Sequence, residues 1–235
     1  MISQYSRPVD IDREFWQDLP RARYWLEKKH GAISQRMKVY DGAWEVECCR
    51  REFYMSDVCY YTSPKTGNRW MTYVVSKRGE DGEVHFYSRH VLYSFTECFM
   101  SIMIPLMVIN ENENGEIGDV MKTVTVYTSH MFQRMADPER LGVDMSDRVK
   151  VIRNFVEFVA AGWSDTRPPR EGERYTQLIM RTPGSWLRGH TVDIEDRKVN
   201  IYRTFYADKS MTPRQMRDVK SFRKMVDKKL KSANK

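Results

Sequence analysis

The longest apolar run in this chain is eleven residues, Phe99 to Ile109 (FMSIMIPLMVI), and it contains Pro105. A helix that spans a bilayer needs about 20 apolar residues, so this run is too short to be one. A proline is also unfavourable inside a helix. The expectation is a buried strand or strand pair. The four methionines Met100, Met103, Met107 and Met121 then read as core fillers rather than as metal ligands. The first sixteen residues (MISQYSRPVDIDREFW) carry no apolar stretch, so no signal peptide is expected.

Length and composition narrow the class. The chain has 235 residues, 41% of them hydrophobic and 30% charged, which suits a folded domain with a sizeable core rather than a disordered chain. Cys48, Cys49, Cys59 and Cys98 form no CxxC and have no zinc-ligand spacing, so reduced thiols in a cytoplasmic protein are expected. The net charge of +7 favours polyanionic partners, because neutralising phosphates releases counterions. There is no Walker loop, GxGxxG, HExxH or GxSxG, which argues against nucleotide hydrolases, dinucleotide enzymes, zinc proteases and α/β-hydrolases. No cofactor and no metal are expected.

The order of elements predicts an α+β fold. Residues 9–29 read as a helix interrupted near Pro20 and ended by Gly31, with Phe15, Leu19 and Trp25 on one face. A β-rich stretch follows from Ala43 to Thr62, with turns at SPKTGN (63–68) and RGEDGE (78–83) around a strand at Trp70–Val75. The polar segment ENENGEIGD (111–119) divides an N-terminal part, residues 1–110, from a second part, residues 120–235. In the second part a strand is expected at Met121–Tyr127. A helix capped by Ser129 covers His130–Ala136, and another, capped by Asp144 or Ser146, covers Arg148–Ala160. After a loop at 165–174, three antiparallel strands cover Tyr175–Arg181, Ser185–Arg188 and Val199–Tyr206. Thr212 and Pro213 open a final helix ending near Lys231. The predicted architecture is a twisted antiparallel sheet packed against helices, with an N-terminal α/β extension.

Candidate chemistry concentrates between His130 and Gln215. His130 and Arg134 are four residues apart and share a helical face. An imidazole moves protons near neutral pH, and a guanidinium holds phosphate oxygens bidentately. On the late strand, Tyr202, Thr204 and Tyr206 point one way by simple alternation, and Arg203 and Phe205 the other. A face with two phenols and a hydroxyl could line a groove; it could equally be the solvated side of the sheet. Arg217, Lys220, Arg223, Lys224, Lys228, Lys229, Lys231 and Lys235 give the C-terminal segment a cationic amphipathic pattern, a candidate phosphate-binding arm. The pair His85 and His90 falls on opposite strand faces, so both read as exposed edge residues. His30 reads as a helix-end histidine, and His190 as a turn residue able to approach the sheet.

The stretch Tyr127-Thr-Ser-His130-Met-Phe-Gln-Arg134, continuing to Arg140, an amphipathic helix and a late strand Tyr202-Arg203-Thr204-Phe205, resembles the RelE/barnase/EndoU-like group of small RNase toxins over about residues 120–215. The resemblance implies metal-independent RNA cleavage by attack of a ribose 2′-hydroxyl. His130, Arg134 and Thr204 match its catalytic pattern. Arg140, Arg203, Tyr202 and Gln215 stand as substrate-binding neighbours, and Arg223, Lys224 and Lys228 as phosphate contacts from the arm. The partner it implies is RNA, with a protein inhibitor or partner also possible; no membrane association is expected. The alternative is a non-catalytic nucleic-acid- or protein-binding factor of a phage or mobile element.

Overall fold

The computed structural model describes residues 1–39, 53–78, 84–95, 100–111, 117–160, 162–169, 171–172, 174–182, 184–217, 219–220 and 224. The fold is α+β, and it divides into two compact units. The first comprises Met1–Ser94 and Met103–Pro105, the second Phe95–Ile102 and Leu106–Lys235.

The first unit is built on one long helix, α1 (Pro8–Val39), and the strands β1 (Phe53–Met55), β2 (Cys59–Thr62), β3 (Arg69–Arg78) and β4 (Val84–Phe95). Both β1 and β2 pair with β3, which pairs with β4, all antiparallel. α1 passes through Pro20 and Gly31 without a break, contrary to the sequence expectation. Packing explains the difference at Pro20. Ile11, Phe15, Leu19 and Leu26 are each at most 5% exposed, and each contributes about 1.5–3 kcal/mol of burial. Their sum outweighs the roughly 3 kcal/mol that an interior proline costs a helix. Phe15 meets Trp70 of β3, with ring centroids 4.9 Å apart. Trp25 departs from the expected core face. It is 40% exposed and stacks on Tyr61 with Lys28 over its ring. His30 lies inside α1 rather than at its end.

The turn at 63–68 is clamped to α1 by a buried carboxylate. Asp18 accepts hydrogen bonds from Ser63 Oγ (2.9 Å), Asn68 Nδ2 (2.8 Å) and Thr66 Oγ1. Asn68 Oδ1 in turn accepts from the Ile2 amide at 2.7 Å. His90, expected as an exposed edge residue, is buried opposite Thr72. Strand β4 is long and covered at this point, which a reading by residue type does not reveal. Cys59 is a free, half-buried thiol, and burial raises its pKa, so it is a poor nucleophile. Cys48, Cys49 and Cys98 lie outside the described residues, as does most of the turn at 78–83.

The second unit begins in β5 (Met100–Glu111), the strand formed by the proline-containing apolar run, and β6 (Ile117–Tyr127). Helices α2 (Ser129–Ala136) and α3 (Arg148–Ala160) follow. Then come β7 (Trp163–Arg167), β8 (Thr176–Thr182), β9 (Ser185–Ile194) and β10 (Arg197–Ala207). The strand order is β5-β6-β10-β9-β8-β7. The expectation of a purely antiparallel sheet needs one correction, because β6 and β10 pair in parallel. The 69 residues between them, 128–196, include two helices and three strands, long enough to bring β10 back in the direction of β6. Asp165 to Arg167, expected in a loop, belong to β7, and β9 runs on past Arg188.

Two helix caps also differ from expectation. Thr128, not Ser129, is the N-cap of α2, and its side chain makes no capping bond. Asp147 caps α3, its Oδ1 accepting from the Lys150 amide at 3.0 Å; Asp144 is engaged by Ser146 instead. The core of this unit gathers Phe132 of α2, Phe155 of α3, Tyr127 and Tyr202. Phe155 lies edge-on to both Tyr127 and Phe132, and Tyr127 stacks on Tyr202 at 5.2 Å. On the other side of β8–β10, Ile179, Trp186 and Tyr206 are buried with Val219, which belongs to a helix (α4, described at 213–217, 219–220 and 224). Thr212 and Gln215 form a capping box at its start: Thr212 Oγ1 accepts from the Gln215 amide, and Gln215 Oε1 accepts from the Thr212 amide. No described helix is long and apolar enough to cross a membrane.

Candidate functional site

β6 ends at Tyr127, opposite Tyr202, while β10 runs on to Ala207. Among the described residues the extra length of β10 therefore has no strand on the β6 side, and α2 packs against β10. The helix is fastened at both ends. The Thr128 amide donates to the Tyr202 carbonyl at 3.1 Å, and Arg140 Nη1 donates to the Phe205 carbonyl at 3.3 Å. Arg203 and Thr204 lie between these two anchors.

A β-bulge occupies that interval. In the β9–β10 ladder Gly189 faces Tyr202, and the next pair is Arg188 with Thr204, so Arg203 is the additional residue. Its side chain is exposed. The close approach of the two strands here demands glycine at 189. A Cβ at that position would sit 2.0 Å from the Ile201 carbonyl oxygen and 2.7 Å from its carbon. The bulge also breaks the simple alternation read from sequence. Tyr202 packs on Tyr127, whereas Tyr206 packs with Trp186, Ile179 and Val219, so the two phenols serve different layers. Tyr202 is 1% exposed and Tyr206 is 7% exposed. The expected groove face of Tyr202, Thr204 and Tyr206 is thus not formed. Only Thr204, half-buried, retains access to solvent.

His130 and Arg134 do come together on the exposed side of α2. Arg134 Nε donates to His130 Nε2 at 3.1 Å, and His130 Nδ1 faces Gln133 Oε1 at 3.4 Å. With Arg134 Nε donating to it, Nε2 turns its lone pair to the guanidinium, while Nδ1 faces the amide oxygen of Gln133. Arg140 is committed to a structural tether, since its Nε also pairs with Asp137 at 3.1 Å. Gln215 is occupied as a helix cap. Lys224 is helical and exposed, and Arg223 and Lys228 lie outside the described residues.

A second cluster carries little sequence signal. Tyr175, just before β8, stacks on His190 of β9 at 5.0 Å with 23° between the rings. Arg174 lies over the Tyr175 ring, 5.2 Å from its centroid. His190 is opposite Ile201 in the ladder, two residues from the bulged Arg203. Partial burial, with the charge of Arg203 as a smaller contribution, lowers its pKa, so its ring stays neutral at pH 7. Arg174 and Tyr175 are adjacent in sequence, but the partnership with His190 depends on hairpin register. Among the described residues, no group of three or more His, Cys, Asp or Glu side chains converges to hold a metal.

Comparison with protein-family models, with curated proteins and with solved structures finds no match.

Proposed function

We propose that the second unit binds RNA and cleaves it without a metal, using His130 and Arg134. The observation that carries this reading is the exposed imidazole whose Nε2 is held at 3.1 Å by a guanidinium, on a helix fastened to β10 on either side of Arg203 and Thr204. A phosphate drawing Arg134 away would free the Nε2 lone pair. The imidazole then accepts the proton of a ribose 2′-hydroxyl as that oxygen attacks the adjacent phosphorus. The P–O5′ bond breaks, and a proton returns to the 5′-oxygen, leaving a 2′,3′-cyclic phosphate. Arg134 and Arg203 offset charge on the phosphorane-like transition state, and Thr204 donates to a phosphate oxygen. The likeness of residues 120–215 to small RNase toxins, and a sheet packed against helices, support the same chemistry.

The test is incubation of the protein with end-labelled RNA in EDTA, beside His130→Ala. Wild type is expected to generate cyclic-phosphate ends, and the variant to lose about 100-fold or more in rate. Absence of cleavage by both, with RNA still bound, would replace the enzyme with a non-catalytic RNA-binding protein.

A further inference from the structure

We infer that the Tyr175–His190 stack, with Arg174 and the bulged Arg203 beside it, is a base-stacking subsite for single-stranded RNA. The inference rests on the RNA reading above and names the form of RNA that the protein takes.

Four observations support it. The two rings stack nearly parallel with their centroids 5.0 Å apart, and both are half-buried, so the stack is partly open to solvent rather than enclosed. The Arg174 guanidinium lies over the tyrosine ring, so a base entering there stacks on it or takes its place. Arg203 is the extra residue of the bulge and is exposed, and the strand contact beside it leaves no room for a Cβ at 189. Arg174 and Arg203 are both exposed, so the cluster offers two cations to a phosphate backbone next to a partly open aromatic stack. A polyanion whose bases are unpaired satisfies both features at once. A duplex keeps its bases stacked inside and would use the cations alone.

The experiment uses the full chain and a fluorescein-labelled 12-nucleotide RNA with 2′-O-methyl riboses, which cannot be cleaved by 2′-hydroxyl attack. Affinity is measured by anisotropy for wild type, Tyr175→Ala, Tyr175→Phe and Arg203→Gln, against the single strand and against a duplex of the same sequence. Loss of one stacking contact is expected to weaken single-strand binding by about five- to 150-fold in Tyr175→Ala. Tyr175→Phe keeps the ring and is expected to bind as wild type. Duplex affinity is expected to fall in Arg203→Gln but not in Tyr175→Ala. A 5-iodouridine strand irradiated on the wild-type protein should attach to Tyr175 or His190, a readout independent of any folding defect in the variants. Equal single-strand affinity of Tyr175→Ala and wild type, or attachment only elsewhere, overturns the subsite while leaving the cleavage reading intact. No binding of either RNA by wild type overturns both.

Discussion

Gly189 shows how one residue can decide a local geometry. Its missing side chain lets β9 approach the Ile201 carbonyl, and that approach accommodates Arg203 as an extra residue. Gly189→Ala is expected to cost about 1–3 kcal/mol, at the upper end because the obstructing atoms are backbone; the midpoint of urea unfolding measures it. His90 makes a second residue-scale case. It is 6% exposed, its Nδ1 has no hydrogen-bond partner among the described residues, and its pKa is pushed down to about 4. Burial is the main cause, and the nearby cations Arg23 and Arg89 add to it. The folded value lies below the unfolded one of 6.5, so as the pH falls the unfolded chain takes up the proton first. Stability from this site is therefore complete above about pH 6.5 and is lost as the pH falls toward 4, by about 3 kcal/mol at most. His90→Gln should flatten that part of the stability-against-pH curve; an unchanged curve would assign acid sensitivity to other groups.

Among the elements, α1 sets propensity against packing. Its apolar positions were readable from spacing, but its continuity was not, because the helix retains Pro20 only through the contacts of Phe15, Leu19 and their neighbours with the sheet. Pro20→Ala restores a backbone donor and removes a ring clash. It also makes the unfolded chain more flexible, a smaller opposing effect. A net gain of about 1–2 kcal/mol is expected, read as a higher thermal midpoint. Helix α4 makes a related point. Its cationic pattern suggested a separable arm, yet Val219 is buried against Ile179, Trp186 and Tyr206. Cutting the chain at 216 would therefore expose a core cluster, and charge-neutralising substitutions are the cleaner probe.

At the scale of the whole molecule, the excess of 39 basic over 32 acidic residues predicts RNA affinity that falls steeply with salt. Converting Lys220 and Lys224 together to Gln is expected to lower the slope of log affinity against log salt by about 1 if α4 contacts phosphates; an unaltered slope would remove that helix from the interface. The α+β class was legible in the sequence, as were the strand at 121–127, helix α3 to the residue, and the turn at 63–68, because these depend on local periodicity and on glycine and proline chemistry. The His130–Arg134 pairing was legible too, since helical spacing alone brings the two side chains together. Tertiary contact decided the rest. The parallel return of β10, the bulge that separates Tyr202 from Tyr206, the burial of His90 and the meeting of Tyr175 with His190 all depend on which strand lies beside which, and in what register. One inserted residue reverses the face of every side chain beyond it, and nothing local to Arg203 in the chain announces that insertion.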